Sequence, residues 1–242
     1  MTEHWLEEAV AASRLPTPQA FPRNLTSEVE RYLGVTLVAR PRLTSESVRD
    51  WLARRRVKHR VAETPRPLFG CMVARQGRAV LFLDSADSIE EQRFTLAHEV
   101  AHFVLDHLLP RSWALSVFGE SIRPVLDKTR HPTPNEKLSS HFSQIPIGVQ
   151  VKLMERGPSG TIRSTKVLHA ERRADRLAYE LLAPSALAQE TLSDLPEEEG
   201  AAELAARFGL TRAAAREYAQ MLLLLRRPPP FSLARMLGGD RR

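Results

Sequence analysis

Residues 88–110, S-I-E-E-Q-R-F-T-L-A-H-E-V-A-H-F-V-L-D-H-L-L-P, constrain this chain more than any other stretch. They contain His98-Glu99-Val100-Ala101-His102, the H-E-x-x-H pattern. On an α-helix, residues four apart lie one above the other on a single face. His98 and His102 can therefore aim two imidazoles at one ion, with Glu99 within reach of a water beside it. The segment also reads as a helix. Ser88 and Glu91 have the spacing of a capping box. Phe94, Ala97, Ala101, Val104 and Leu108 recur at intervals of three and four. Pro110 supplies the expected stop.

A catalytic zinc takes three protein ligands and leaves one position open. Beyond the two histidines, the residue types that qualify are His107, His131, His141, His169, Glu171, Asp175 and Glu180. A second strong helical pattern covers 165–182, with Leu168, Ala174, Leu177, Ala178, Leu181 and Leu182 on its apolar face. Glu171 and Asp175 stand one turn apart on it. That spacing lets Glu171 bind a metal while Asp175 hydrogen-bonds a ligand histidine from behind. The blander readings are a solvated carboxylate for Glu171 and an ion pair with Arg172 or Arg176 for Asp175.

The run Glu171-x-x-Ala174-Asp175-x-x-Ala178-x-x-Leu181-Leu182-x-Pro184, placed after an H-E-x-x-H helix, resembles the ImmA/IrrE family of zinc metallopeptidases. The resemblance extends over about 35–184. It implies a gluzincin-like mini-domain, or mini-zincin, in which a small sheet packs on the H-E-x-x-H helix and a second helix brings a metal ligand. It implies zinc as cofactor, His98, His102 and Glu171 as ligands, and Glu99 as the catalytic base. It also implies a protein substrate, since members of the family cut transcriptional repressors, some of helix-turn-helix type. For the tetrahedral oxyanion, His169 and Tyr179 are the nearest polar residues in sequence and are the candidate donors.

The remaining pattern gives an α+β chain in four parts. Residues 1–23 form an N-terminal extension, with a short helix at 4–13 followed by a linker marked by Pro16, Pro18 and Pro22. Residues 24–195 form the metallopeptidase domain. It has helices at 24–33 and 45–55, the latter capped by Thr44, and strands at 35–39, 68–74 and 79–84. The last two strands flank Gln76-Gly77 as a hairpin. The third leads straight into the metal helix, where it is expected to pair with an extended peptide. Residues 111–165 read as an insertion without a clear period, with short helices around 115–126 and 135–142. Residues 196–227 resemble a helix-turn-helix, and 228–242 are a tail.

Net charge is +6 and the pI about 10. This balance, the cluster Arg49, Arg54, Arg55, Arg56, Lys58 and Arg60, and the C-terminal helix pair supply a rival reading. In it the chain is a DNA-binding regulator, or a partner-binding protein, with a vestigial peptidase site. Intact Glu99 speaks against a vestigial site. Three alanines at 213–215 leave only Arg212 and Arg216 able to reach a base from the second helix, so packing is the expected role of that pair. Cys71 is the only cysteine, which excludes an internal disulfide and fits a reducing compartment. No apolar stretch is long enough to span a bilayer and the N-terminus lacks a signal-peptide core, so a cytoplasmic protein is expected.

Overall fold

The computed structural model describes residues 4–57, 59, 64–138, 145–156, 165–193 and 195–226. The tail at 228–242, His141, the turn at 157–160 and the end of the helix expected at 135–142 lie outside them.

The fold is mixed α+β around a four-stranded sheet of order β1-β3-β2-β4. The strands are β1 (Val35–Arg40), β2 (Leu68–Arg75), β3 (Arg78–Asp84) and β4 (Gln150–Glu155). β2 and β3 form the expected hairpin. Both turn residues, Gln76 and Gly77, have positive φ, 55° and 75°, the handedness that lets a two-residue turn follow the right-handed twist of its strands. β1 runs parallel to β3, and β4 runs antiparallel to β2.

Two expectations are corrected here. β3 is not an edge. Its ladders to β1 and β2 occupy both sides, so no backbone donors or acceptors are left for a peptide to pair with. The segment 111–165 is also more than an insertion, because it supplies β4 and thereby one edge of the sheet. In β4, Val151 and Leu153 alternate with Gln150, Lys152 and Met154, and Val151 and Leu153 pack under the sheet.

Alternation along β2 and β3 builds two cores. Met72, Ala74, Ala79, Leu81 and Leu83 face α4 (Ile89–His102) and α8 (Thr165–Leu182), where Leu96, Val100, Leu177 and Leu181 are buried. Cys71, Val73 and Phe82 face the other way, onto Val48 and Leu52 of α3 (Ser45–Arg54). A capping box starts α3. The Thr44 side chain accepts from Ser47 N, and the Ser47 side chain accepts from Thr44 N.

The first core also takes in both ends of the chain. Leu6 and Ala9 of α1 (His4–Ser13) and Val29 of α2 (Leu25–Tyr32) belong to it. So do Leu204 and Phe208 of α10 (Glu197–Phe208) and Tyr218 and Leu222 of α11 (Arg212–Arg226). Tyr218 stacks on Tyr179 at 4.6 Å between ring centroids and donates its hydroxyl to Ala183 O at 2.8 Å. The proline-marked linker is pinned by Arg23. This arginine is buried and donates to Leu181 O at 2.6 Å and to Pro16 O at 2.8 Å.

Pro110 does not end the metal helix. Phe103–Leu108 follows α4 as a π-helix and continues into α5 (Leu109–Phe118), with Pro110 in the first turn of α5. The chain stays helical through this point, since Leu108 and Leu109 both have right-handed helical dihedrals and Leu109 N–H bonds Val104 O. Beyond α5 come α6 (Arg123–Leu126) and α7 (Pro134–Leu138), and after α8 comes α9 (Ser185–Thr191).

Asp84 closes the end of the sheet nearest the start of α4. Its carboxylate accepts from the backbone N–H groups of Arg42 (2.9 Å), Leu43 (3.1 Å) and Ala86 (2.9 Å), and from Arg156 (3.1 Å). Burial alone would raise its pKa. The three N–H donors and the Arg156 guanidinium outweigh burial and hold it below the ordinary value. Because the folded pKa is depressed, this stabilisation stands above the ordinary carboxylate range and is lost as pH falls through the lowered pKa. Urea unfolding of Asp84→Asn should show a loss of about 2 kcal/mol at neutral pH. The gap to wild type should close below about pH 4. A gap that persisted unchanged into acid would remove the charge from this account.

Candidate metal centre

The position of the site begins with a second capping box. Ser88 Oγ accepts from Glu91 N and Glu91 Oε2 accepts from Ser88 N, each at 3.2 Å, which fixes where α4 starts. From Thr95 to His102 every residue of α4 is buried, because the helix runs between the sheet and α8. Its approach to β2 depends on Gly70. A Cβ on that residue would stand 2.5 Å from Thr95 Cγ2 and 3.0 Å from Glu99 Oε1.

On this helix His98 and His102 point their Nε2 atoms toward α8. Each Nε2 lies 3.5 Å from Glu171 Oε2. The three donor atoms all fall within 4.8 Å of one another, and this is the one group of metal-ligating type among the described residues. Ligand atoms around a tetrahedral zinc with bonds of about 2.0–2.1 Å stand roughly 3.3 Å apart, so the spacing fits that ion.

Behind each imidazole stands a carboxylate. His98 Nδ1 donates to Asp175 Oδ1 and His102 Nδ1 donates to Asp106 Oδ2, both at 2.8 Å. These bonds fix the ring orientations and leave the Nε2 atoms facing Glu171. Asp106 lies in the π-helical segment and is braced from β4 by Lys152 Nζ at 3.2 Å. The sequence reading missed both Asp106 and Gly70. For Asp106 a signal was present: it follows His102 by four residues, the same interval that separates Glu171 from Asp175. Nothing in the sequence marks Gly70, whose role is a close approach between distant elements.

The two histidines and the carboxylates around them are electrostatically coupled. Burial alone would lower the pKa of His98, but Asp175 and Glu171 outweigh it and raise the imidazole to about 10. His102 is raised in the same way, with Asp106 and Glu171 prevailing over burial. Burial would raise Glu171, yet the two histidines hold it well below the usual carboxylate range. Glu99 is fully buried, and neither carboxylate oxygen has a hydrogen-bond partner among the described residues. Burial pushes it up to about 7 against the pull of both histidines. Two imidazoles and a carboxylate, with an unpartnered buried carboxylate beside them, suit a catalytic zinc with an open position.

None of the other described residues weighed from sequence joins this ligand group. His107 is buried beneath the hairpin turn, where Nε2 accepts from Gly77 N at 2.9 Å and Nδ1 bonds Gln150. Glu180 is held by Arg176 at 2.9 Å and accepts from Ser185 N at 3.1 Å. His131 and His169 are exposed. Tyr179 is buried, with its hydroxyl turned to Glu217 at 3.5 Å.

Residues 52–124 match the peptidase M78 family, described as the IrrE N-terminal-like domain. The matched segment spans β2, β3 and α4, and so includes His98, Glu99 and His102; it ends before Glu171. The resemblance to the ImmA/IrrE family therefore holds over this stretch, and it is a metallopeptidase-type family. Neither a curated protein nor a solved structure matches the chain. Among the described residues, no helix is long and apolar enough to cross a membrane.

Replacing a carboxylate behind a ligand histidine should cost about 10–100-fold in zinc affinity. Competition with a chromophoric chelator should show this for Asp106→Ala and for Asp175→Ala. His107→Ala should bind zinc as wild type does while unfolding at lower urea. Loss of zinc in His107→Ala with full affinity in Asp106→Ala would reassign the site.

Proposed function

We propose that this chain is a zinc-dependent endopeptidase of gluzincin type, with the third ligand, Glu171, delivered by α8. The observation that carries the reading is the convergence of His98, His102 and Glu171 beside a buried carboxylate with no hydrogen-bond partner among the described residues. The family match over α4 supports it independently. Zinc held by these three side chains would acidify a water and polarise the scissile carbonyl. Glu99 then takes a proton from the attacking water and hands it to the leaving amine. Asp175 and Asp106 keep the two imidazoles in the tautomer that presents Nε2. His169 and Tyr179 stay the proposed oxyanion donors; for Tyr179 this role requires its hydroxyl to leave Glu217.

The substrate we propose is a regulatory protein such as a helix-turn-helix repressor, in keeping with the ImmA/IrrE resemblance. Its extended segment would add to β4 and not to β3. β4 is a sheet edge among the described residues, and it runs beside the site through the Lys152–Asp106 ion pair. We place the protein in the cytoplasm because its single cysteine, Cys71, is buried and free.

The DNA-binding alternative draws less support. The inward face of α11 is spent in the core, and of the two exposed arginines at its start, Arg212 and Arg216, the second is paired with Glu198 at 2.9 Å. Glu99→Gln should retain one zinc per chain and lose at least about 100-fold in cleavage rate. The assay is mass-spectrometric profiling of peptide-library cleavage, with zinc measured on the same sample. Wild-type cleavage by the Gln variant, or none by the wild type with zinc bound, would end the peptidase reading.

A further inference from the structure

The face of the sheet turned away from the candidate metal centre carries a concavity. α3 covers only part of this face. Beside it lies a cleft of about 510 Å³, within the range of roughly 300–1,000 Å³ usual for small-molecule sites. Its apolar wall is formed by Val73, Val80 and Val149 with Trp51 and Val57. Trp51 is fixed there by an edge-on contact with Phe82, ring centroids 5.3 Å apart, and by Arg55, whose guanidinium lies 4.0 Å over the indole.

Two arginines stand at the hairpin end of the cleft. Arg75 and Arg78 are directly opposite each other in the β2–β3 register, two residues beyond Val73 and Val80 on the same face. Both are exposed and line the cleft, and neither side chain has an ion-pair or hydrogen-bond partner among the described residues. Like charges directly opposite on antiparallel strands repel. A bound anion would relieve that repulsion, and a hydrocarbon or aromatic body would cover the valines and Trp51. Glu30 is the one acidic residue lining the cleft.

We propose that this cleft is a binding site for a small amphipathic carboxylate, its apolar body against Trp51, Val73 and Val80 and its carboxylate on Arg75 and Arg78. The site is separate from the proposed peptidase centre and does not rest on that reading. A fatty-acid-like or aromatic acid has the chemistry required. An uncharged apolar molecule leaves the arginines unsatisfied, and a cation is repelled by them.

Trp51 supplies the readout. The full-length protein is titrated with 10-bromodecanoate, whose terminal bromine quenches tryptophan on contact, and with 10-bromodecanol as the uncharged control. The expected result is saturable quenching by the acid that disappears in Trp51→Phe, although Trp5 and Trp113 remain. The Arg75→Gln/Arg78→Gln double variant should require at least about tenfold more acid for half-saturation, a loss of about 1.4 kcal/mol. The alcohol should not distinguish that variant from wild type. Because the double variant removes a like-charge pair, its urea midpoint should be no lower than wild type, which separates lost binding from lost fold. Absence of saturable quenching, quenching that survives Trp51→Phe, or equal half-saturation in the double variant would each overturn the proposal.

Discussion

Two hydrogen bonds, from His98 to Asp175 and from His102 to Asp106, decide which ring nitrogens face the space in front of Glu171. An imidazole is free to present either nitrogen, and a buried one is positioned only as well as its far side is held. The two carboxylates reach the histidines from different parts of the molecule. Asp175 is on α8, and the same helix carries Tyr179, stacked on Tyr218 of α11. Asp106 is in the π-helical segment, and its brace, Lys152, comes from the edge strand β4. The C-terminal helices and the late-joining strand thus both support the candidate metal centre at one remove.

The parts of this arrangement that were legible in the sequence share a property: they are local. The i, i+4 histidines, the Glu171–Asp175 interval, the capping residues Thr44 and Ser88, and the Gln76-Gly77 turn each depend on a few neighbouring residues and on helical or strand periodicity. The parts that were not legible depend on distant partners. β4 is a six-residue alternation between irregular stretches, and only its pairing with β2 makes it a strand. That β3 is interior follows from β1 pairing in parallel, which requires a crossover through α3. Pro110 reads as a helix stop by local rules. The chain instead runs helical through it by way of the π-helical segment, whose wider i to i−5 bonding is not marked by local spacing. Gly70 matters only because α4 passes against it, a fact of tertiary packing with no trace in spacing.

The two faces of the sheet carry different chemistry because strand residues alternate. On β2, Gly70 and Met72 belong to the face beneath α4, while Cys71 and Val73 belong to the face under α3. The first face is closed by helices from both ends of the chain and holds a buried ionisable cluster. The second is closed only in part and ends in two facing arginines. The +6 balance is thus not a uniform basic surface, since some of it sits at defined positions with defined neighbours.

The central claim is that the two Nε2 atoms and the Glu171 carboxylate bind one zinc together. X-ray absorption at the zinc edge of the loaded protein tests it most directly. The expected spectrum has about four nitrogen or oxygen neighbours near 2.0–2.1 Å, with the outer-shell scattering of two imidazoles and no sulfur near 2.3 Å. A sulfur contribution, which only Cys71 or a methionine could supply, or scattering from fewer than two imidazoles, would contradict the account.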